Sequence, residues 1–375
     1  MILLKVLSLT NEFEEECFGG AGTAATGIVY LLDRLGVQQT VVVPRSDWAK
    51  PGWLERGQKI RVLGLPRNLY YFGHLEMIWV DTLRQKFPEL WQEWDIIHIQ
   101  AINFAPLAYT LADGKIPILY SVHSFLREEL GDQKVSGLQE RFKIQEELLM
   151  RCQRIHLISQ SEGHYLAEHF PQYLSKAEEL ALGISLPLER WQQGNANRFL
   201  YVGRLLDYKG LEDLIKAISR VSQSGRQIYL DIVGQGTATY ENYLRRLVQA
   251  MKLEACVQFH GWRPSSEVRQ WMAHATALVV PSWREAFGLV ALEGMAIGTP
   301  LIASSVGGLA ELVSSECALT FEAGNINQLS EALRIALDQP SLLQLFSERA
   351  LERAWLYEWG QLAPRYLNLY KTMKV

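Results

Sequence analysis

The chain has 375 residues, which at about 150 residues per domain predicts two domains. Hydrophobic residues make up 48%, charged residues 21% and aromatics 10%, enough to build a core in each half, which excludes disordered and collagen-like chains. Lys plus Arg number 37 against 41 Asp plus Glu, a net charge of −4, so no basic field points to nucleic acid as a partner.

Cys17, Cys152, Cys256 and Cys317 lie far apart with no C-x-x-C pair, predicting neither a zinc site nor a disulfide framework and fitting a reducing cytoplasm. The apolar start Met1 to Leu9 is short and followed by the acidic stretch Glu12 to Glu16, so it reads as a buried first strand rather than a signal peptide. No run of 18 uncharged apolar residues occurs, so no membrane span is predicted.

In chain order, Leu3–Leu9, Thr40–Val43, Ile96–Ile99, Ile116–Val122 and Ile155–Ser159 read as short strands separated by helical patterns, among them Thr23 to Leu35. Such alternation predicts βαβ units in residues 1–185. Residues 186–198, with Pro187 and the polar run Gln192 to Asn197, lose periodicity and read as a linker. The rhythm restarts with Phe199–Val202, Ile228–Val233, Val257–His260, Ala277–Val280 and Leu301–Ala303, continuous apolar runs typical of parallel strands covered on both faces. Residues 199–354 therefore read as a second α/β domain. Residues 355–375 read as a helical tail, with Trp355, Trp359, Tyr366 and Tyr370, that packs back on the first domain. Two open parallel sheets in tandem predict a ligand crevice between domains, lined by strand C-termini and helix N-termini.

Gly203-Arg204-Leu205-Leu206-Asp207-Tyr208-Lys209-Gly210 follows a buried strand and sets Arg204 and Lys209 before a helix. A planar fork and a point charge together suit a diphosphate, although by themselves they are equally two solvated surface cations. In Pro281-Ser282-Trp283-Arg284-Glu285-Ala286-Phe287-Gly288-Leu289-Val290-Ala291-Leu292-Glu293-Gly294, a helix starting near Gly288 offers free N–H groups to phosphate or sugar oxygens. Glu285 then lies in the preceding loop and Glu293 on the second turn, so both can face one ligand. A carboxylate can accept from two vicinal hydroxyls; the plain alternative is an acidic bias at a helix start plus one solvated glutamate.

With these blocks on the page, the chain resembles the retaining, nucleotide-sugar-dependent transferases of glycosyltransferase family 4. The E-x7-E pattern in "PSWREAFGLVALEGMAIGTPLIASSVGGLAELV" carries the resemblance, with "YVGRLLDYKGLEDLIKA" and "LDIVGQGTATYENYL" ahead of it in order. It is strong over 199–325 and thinner in the first half, where Gly19-Gly20-Ala21-Gly22 and "LYSVHSF" match. The resemblance implies a GT-B fold: two Rossmann-like domains facing each other across a deep cleft. It implies that Arg204 and Lys209 bind the donor diphosphate with the Leu289 and Val290 N–H groups, and that Glu293 holds the ribose. Glu285, with the backbone of Ala286, Phe287 and Gly288, would contact the donor sugar.

Gly20 lies in a glycine loop whose backbone can approach an anion closely, which the resemblance places at the diphosphate; by itself it is also a plain flexible turn. As a dinucleotide fingerprint the loop fails, which argues against an oxidoreductase. His123 ends a strand, where a histidine is often a satisfied core residue; the resemblance puts it near the donor sugar, able to hydrogen-bond the hexose or support developing charge. His98 reads as structural. Gly234, in Gly234-Gln235-Gly236, is a tight turn that the resemblance sets near the nucleotide, with Trp262 and Arg263 bordering the base.

No D-x-D triplet occurs, so no carboxylate-bound metal and no cofactor are expected beyond the nucleotide-sugar co-substrate. Arg204, Lys209 and helix dipoles would stabilise the departing diphosphate in a front-face displacement with retention, assisted by His123 and Glu285. The expected reaction moves a hexose, taken as glucose, from a UDP-sugar to a glycan or lipid-linked glycan of a surface polysaccharide. Two alternatives stay open: a non-catalytic nucleotide-sugar-binding subunit and a GT-B-fold sugar-nucleotide epimerase. Two departures from the family pattern are specific: Leu182-Gly183-Ile184-Ser185 stands where N-G-V-D is usual, and Asn325 replaces an acidic residue. Residues 45–72 interleave Arg45, Lys50, Arg56, Lys59, Arg61 and Arg67 with Trp48, Trp53, Tyr70, Tyr71 and Phe72. This stretch reads either as a membrane-surface patch at the inner face or as a solvated loop over a normal core.

Overall fold

The computed structural model describes residues 4–14, 17, 19–45, 52–66, 77–131, 137–192 and 197–374. In chain order the first half runs β1 (Lys5–Leu9), α1 (Gly20–Arg34), β2 (Gln38–Arg45), β3 (Gly52–Arg56), β4 (Ile60–Pro66), α2 (Met77–Lys86), β5 (Ile96–Ile99), α3 (Ala105–Ala112), β6 (Ile118–Val122), α4 (Leu126–Leu130), α5 (Leu138–Arg151), β7 (Arg154–Leu157), α6 (Gln160–His169) and β8 (Ala177–Glu179). The second half continues with β9 (Arg198–Val202), α7 (Leu211–Gln223), β10 (Tyr229–Val233), α8 (Ala238–Ala250), β11 (Val257–Gly261), α9 (Ser265–His274), β12 (Ala277–Val280), α10 (Leu289–Ile297), β13 (Leu301–Ser304), α11 (Gly307–Leu312), β14 (Leu319–Phe321), α12 (Ile326–Asp338), α13 (Pro340–Trp355) and α14 (Trp359–Met373).

Two units result: Met1–Gly183 with Trp359–Val375, and Ile184–Glu358. The crossings therefore fall at Gly183/Ile184 and Glu358/Trp359 rather than across 186–198 and at 355. The polar segment is not free, because Trp191 N–H donates to the Ile297 carbonyl (2.8 Å), its indole N–H to Ala275 (2.8 Å), and Gln192 N–H to Ala273 (2.9 Å). Three bonds to the second unit tie down a stretch whose composition reads as linker.

The first unit has an eight-stranded sheet in the order β3-β4-β2-β1-β5-β6-β7-β8. Its apolar strands pair parallel except β3, which turns back antiparallel on β4. Gly57 (φ +54°) makes that turn, and the Asp33 carboxylate accepts from Gln58 and Lys59 N–H at 3.2 and 2.7 Å. Residues 52–66 of the basic and aromatic stretch are thus a hairpin in which Arg56 and Arg61 are ion-paired. Arg56 meets Glu14 at 3.1 Å, Arg61 meets Glu55 at 3.2 Å and lies over the Trp53 ring at 4.4 Å. Trp48, Lys50, Arg67, Tyr70, Tyr71 and Phe72 lie outside the described residues. Helix α1 begins at Gly20, three residues before the predicted start, so the glycine loop is the first turn of a helix. A Cβ on Gly22 would come within 2.5 Å of Glu12, so close packing, not looseness, keeps that position bare.

Helix α14 docks on the first unit through Trp359, Tyr366 and Tyr370, all buried, whereas Trp355 is exposed. The Trp359 indole lies against Gly27 and Gly183, where added Cβ atoms would sit 2.2 and 2.4 Å from its ring. Below it a polar chain crosses three strands. The Tyr370 hydroxyl donates to His98 Nδ1 (2.7 Å), and His98 Nε2 and His156 Nδ1 flank Ser121 Oγ at 2.7 Å each. His156 Nε2 donates to the Leu180 carbonyl (2.8 Å), and with both rings kept neutral by burial Ser121 donates to His156 Nδ1 and accepts from His98 Nε2. Burial pushes His98 well below its ordinary pKa and His156 down to about 4. His98 is structural.

The second unit has a six-stranded sheet in the order β11-β10-β9-β12-β13-β14, with every neighbouring pair parallel. The order reverses between β9 and β12, the switch point at which ligands sit beyond the strand ends in doubly wound sheets. Its core joins Phe199, Leu230, Ile232, Val279 and Ile302 to the apolar faces of α7 and α12. Asn325 caps α12, its side chain accepting from Gln328 N–H at 3.1 Å, so the change from an acidic residue leaves the cap intact.

Candidate active site

At the switch point the two critical charges meet. Lys209 Nζ lies 2.8 Å from Glu285 Oε2, and Ser282 Oγ donates to the same carboxylate oxygen at 3.2 Å. The side chains are 15% and 19% exposed, so solvent screens this pair far less than a surface ion pair. Lys209 ends the short turn Asp207–Lys209 after β9, and Glu285 lies in the loop after β12.

The two loops are tied together. Trp283 N–H donates to the Tyr208 carbonyl (2.8 Å) and its indole N–H to Asp213 on α7 (2.7 Å). Gly210 (φ +71°) lets the chain pass Pro281, whose carbonyl oxygen would be 1.9 Å from an added Cβ. Gly308, at the start of α11, donates its N–H to the Glu285 carbonyl (2.9 Å), and its own Cβ would fall 2.1 Å from the Ala286 carbonyl. Sequence reasoning missed Asp213, Ser282, Trp283 and Gly308. Gly308 and Trp283 stand inside the quoted motif, but their partners are distant in the chain.

Helix α10 starts after Gly288 (φ +96°), leaving the Leu289 and Val290 N–H groups on its first turn without intrahelical acceptors. The helix is apolar on nearly every side and buried, and Glu293 is its one charged residue. Burial pushes the Glu293 carboxyl up to about 7, partly offset by Arg269. Phe287 buries its ring against Tyr357, centroids 6.0 Å apart, so only its main chain is available to a ligand.

Arg204 is exposed, with Nη2 3.5 Å from the Tyr208 hydroxyl, while its own carbonyl accepts from Tyr201 (2.8 Å). Gly234 (φ +138°) sits against Gly203, whose carbonyl would be 1.9 Å from a Cβ, and donates to the Gly261 carbonyl at 2.9 Å. Trp262 and Arg263 follow β11 and are exposed; Arg263 Nε lies 3.6 Å from Glu267 in the first turn of α9. All of these second-unit residues thus follow the C-terminal ends of β9 to β12, at one edge of the sheet.

Gly20 and His123 belong to the first unit. Gly20 opens α1, and Gly19 N–H before it is held by the Glu12 carboxylate at 3.1 Å. His123 follows β6, and both ring nitrogens are buried without a hydrogen-bond partner. Burial holds its pKa down at about 3, so the ring is neutral, with one donor and one acceptor idle.

The Glycosyl transferase 4-like domain matches residues 19–174, and Glycosyl transferases group 1 matches residues 189–353. This chain belongs to the family 4 glycosyltransferases. Its two parallel-sheet units are those of the GT-B fold. Among relatives, it is 28% identical to glycogen synthase of Mycobacterium tuberculosis over 99% of this chain and 95% of that protein. Among solved structures, sucrose-phosphate synthase of Thermosynechococcus elongatus is similar with a TM-score of 0.83, at 22% identity, covering 99% of each chain. HepE of Anabaena in complex with UDP-glucose gives a TM-score of 0.77 at 18% identity, covering 98% of this chain and all of that one. Among the described residues no helix is long and apolar enough to cross a membrane.

Proposed function

We propose that this glycosyltransferase moves a glucosyl unit from UDP-glucose, with retention, to a glycan or lipid-linked glycan acceptor in surface polysaccharide synthesis on the cytoplasmic side. The observation that carries the reading is the shielded Lys209–Glu285 pair at the switch point of the second unit. A diphosphate arriving at Lys209 competes for the ammonium and frees the Glu285 carboxylate to accept from hexose hydroxyls. Arg204 and the α10 N-terminus add positive charge around the leaving group. Glu293 is assigned to the ribose hydroxyls, Gly234, Trp262 and Arg263 to the base, and Gly20 to the diphosphate. The idle nitrogens of His123 are assigned to the hexose. UDP-glucose as donor is supported by the HepE complex, and a glycan acceptor by the glycogen synthase relative.

In the step itself, the acceptor oxygen bonds to the anomeric carbon from the face of the leaving group as the bond from that carbon to the diphosphate oxygen breaks. The acceptor proton passes to the diphosphate oxygen, and UDP departs. Arg204, Lys209 and the α10 amides carry the developing charge, so the reading invokes no metal and no protein nucleophile.

Calorimetric titration of the full chain, in chelator, against UDP, GDP, ADP and their hexose conjugates tests this reading. Binding of UDP and UDP-glucose alone is the expected result. Selective binding of another nucleotide would replace the donor, and binding only after magnesium is restored would overturn the metal-free reading.

A further inference from the structure

One face of the first unit's sheet is polar. Alternation carried one residue past β5 and β6 puts Gln100 on the face of His98 and His123 on the face of Ser121; the register pairs Ser8 of β1 with His98. On β5, β6 and β7 the inner rungs of this ladder are closed, with His98, Ser121, His156 and Tyr370 hydrogen-bonded in a chain, while Ser8 Oγ on β1 lacks a partner. The outer rungs are open. Gln100 is 6% exposed, yet its side-chain oxygen and nitrogen both lack a partner, as do both nitrogens of His123.

A buried polar atom left unpaired is destabilising, so four such atoms at the ends of adjacent strands point to an absent partner. The partner's chemistry is constrained. A neutral amide and a neutral imidazole offer equal numbers of donors and acceptors and no charge, which matches hydroxyl groups and not an anion. They also stand at the carboxyl ends of parallel strands, where such sheets receive ligands.

We propose that Gln100 is a sugar-recognising residue, whose amide, with His123 after the neighbouring strand, hydrogen-bonds hydroxyls of a neutral saccharide held by the first unit. The assignment rests on the glycosyltransferase reading for the origin of that saccharide, either the hexose of the donor or the acceptor glycan.

The test compares the full chain with Gln100→Leu, which is close to glutamine in bulk, one bond shorter, and lacks the amide. Melting temperature and calorimetric affinities are measured for UDP, for UDP-glucose, and for maltohexaose with UDP saturating. The expected Leu variant melts at or above the wild-type temperature and binds UDP equally, but loses tenfold or more of a sugar-dependent gain. Loss of the gain of UDP-glucose over UDP assigns the residue to the donor hexose, and loss of maltohexaose binding assigns it to the acceptor.

Sugar gains within twofold of wild type would leave an internal water as the partner and overturn the proposal, as would UDP binding by the wild type with no sugar gain. Failure of the wild type to bind UDP at all would instead overturn the donor reading. Should the Leu variant not fold, Gln100→Asn, which withdraws the amide by one methylene, is expected to show the same loss, and sugar gains within twofold of wild type in that variant would overturn the assignment.

Discussion

At the scale of single residues, the site is built on shared charge. Lys209 is paired with Glu285, so each substitution releases the other and the two should differ in what they lose. Lys209→Ala is expected to weaken UDP about tenfold to a hundredfold, the scale of a charge-assisted contact. Glu285→Ala should weaken UDP-glucose far more than UDP; equal losses in titration would remove the assigned sugar role. Glu293 supplies a pH dependence. Burial pushes its carboxyl from the ordinary 4.5 up to about 7, so it is held protonated in mild acid. A ribose that needs the carboxylate then binds more tightly as pH rises, with the gain levelling off above about 7. Glu293→Gln should flatten that profile, and a UDP affinity independent of pH in the wild type would contradict the assignment.

At the scale of elements, glycines set how closely the site loops approach one another. Gly308→Ala drives a Cβ into the Ala286 carbonyl, and Gly210→Ala drives one into Pro281. Each is expected to cost about 2–4 kcal/mol and to lower donor affinity with the melting temperature, because the displaced loops carry Glu285 and Lys209. A variant that melts normally and still binds UDP would show that the loops tolerate separation. Strands β5 and β12 were legible to the residue, since buried parallel strands are short unbroken apolar runs. The hairpin of β3 and β4 was not, because its alternating charges pair only once the turn at Gly57 is made. The motif residues were legible because a loop and the helix it opens are contiguous. Asp213 was illegible for the opposite reason: its partner Trp283 is 70 residues away.

At the scale of the whole molecule, the buried groups with shifted pKa values predict opposite responses of the two units to acid. His98 and His156 have depressed pKa values when folded, so the unfolded chain takes up protons first, and the first unit loses stability as pH falls from about 6.5 to about 4. Glu293 has a raised pKa, so the unfolded chain releases its proton first; the second unit loses stability as pH rises from 4.5 to about 7 and regains it in acid. Scanning calorimetry at pH 7.5 and pH 5 should show two transitions moving in opposite directions, and a single transition with one slope would refute this division. The double crossing of the chain also orders its birth. A ribosome completes all of Ile184–Glu358 before it makes Trp359, Tyr366 and Tyr370, so the earliest part of the chain to emerge is the last to be finished. Until α14 arrives, the groove between Gly27 and Gly183 stands open and His98 lacks its phenol, an interval in which the nascent first unit is exposed to chaperones and proteases although its entire sheet has already been synthesised.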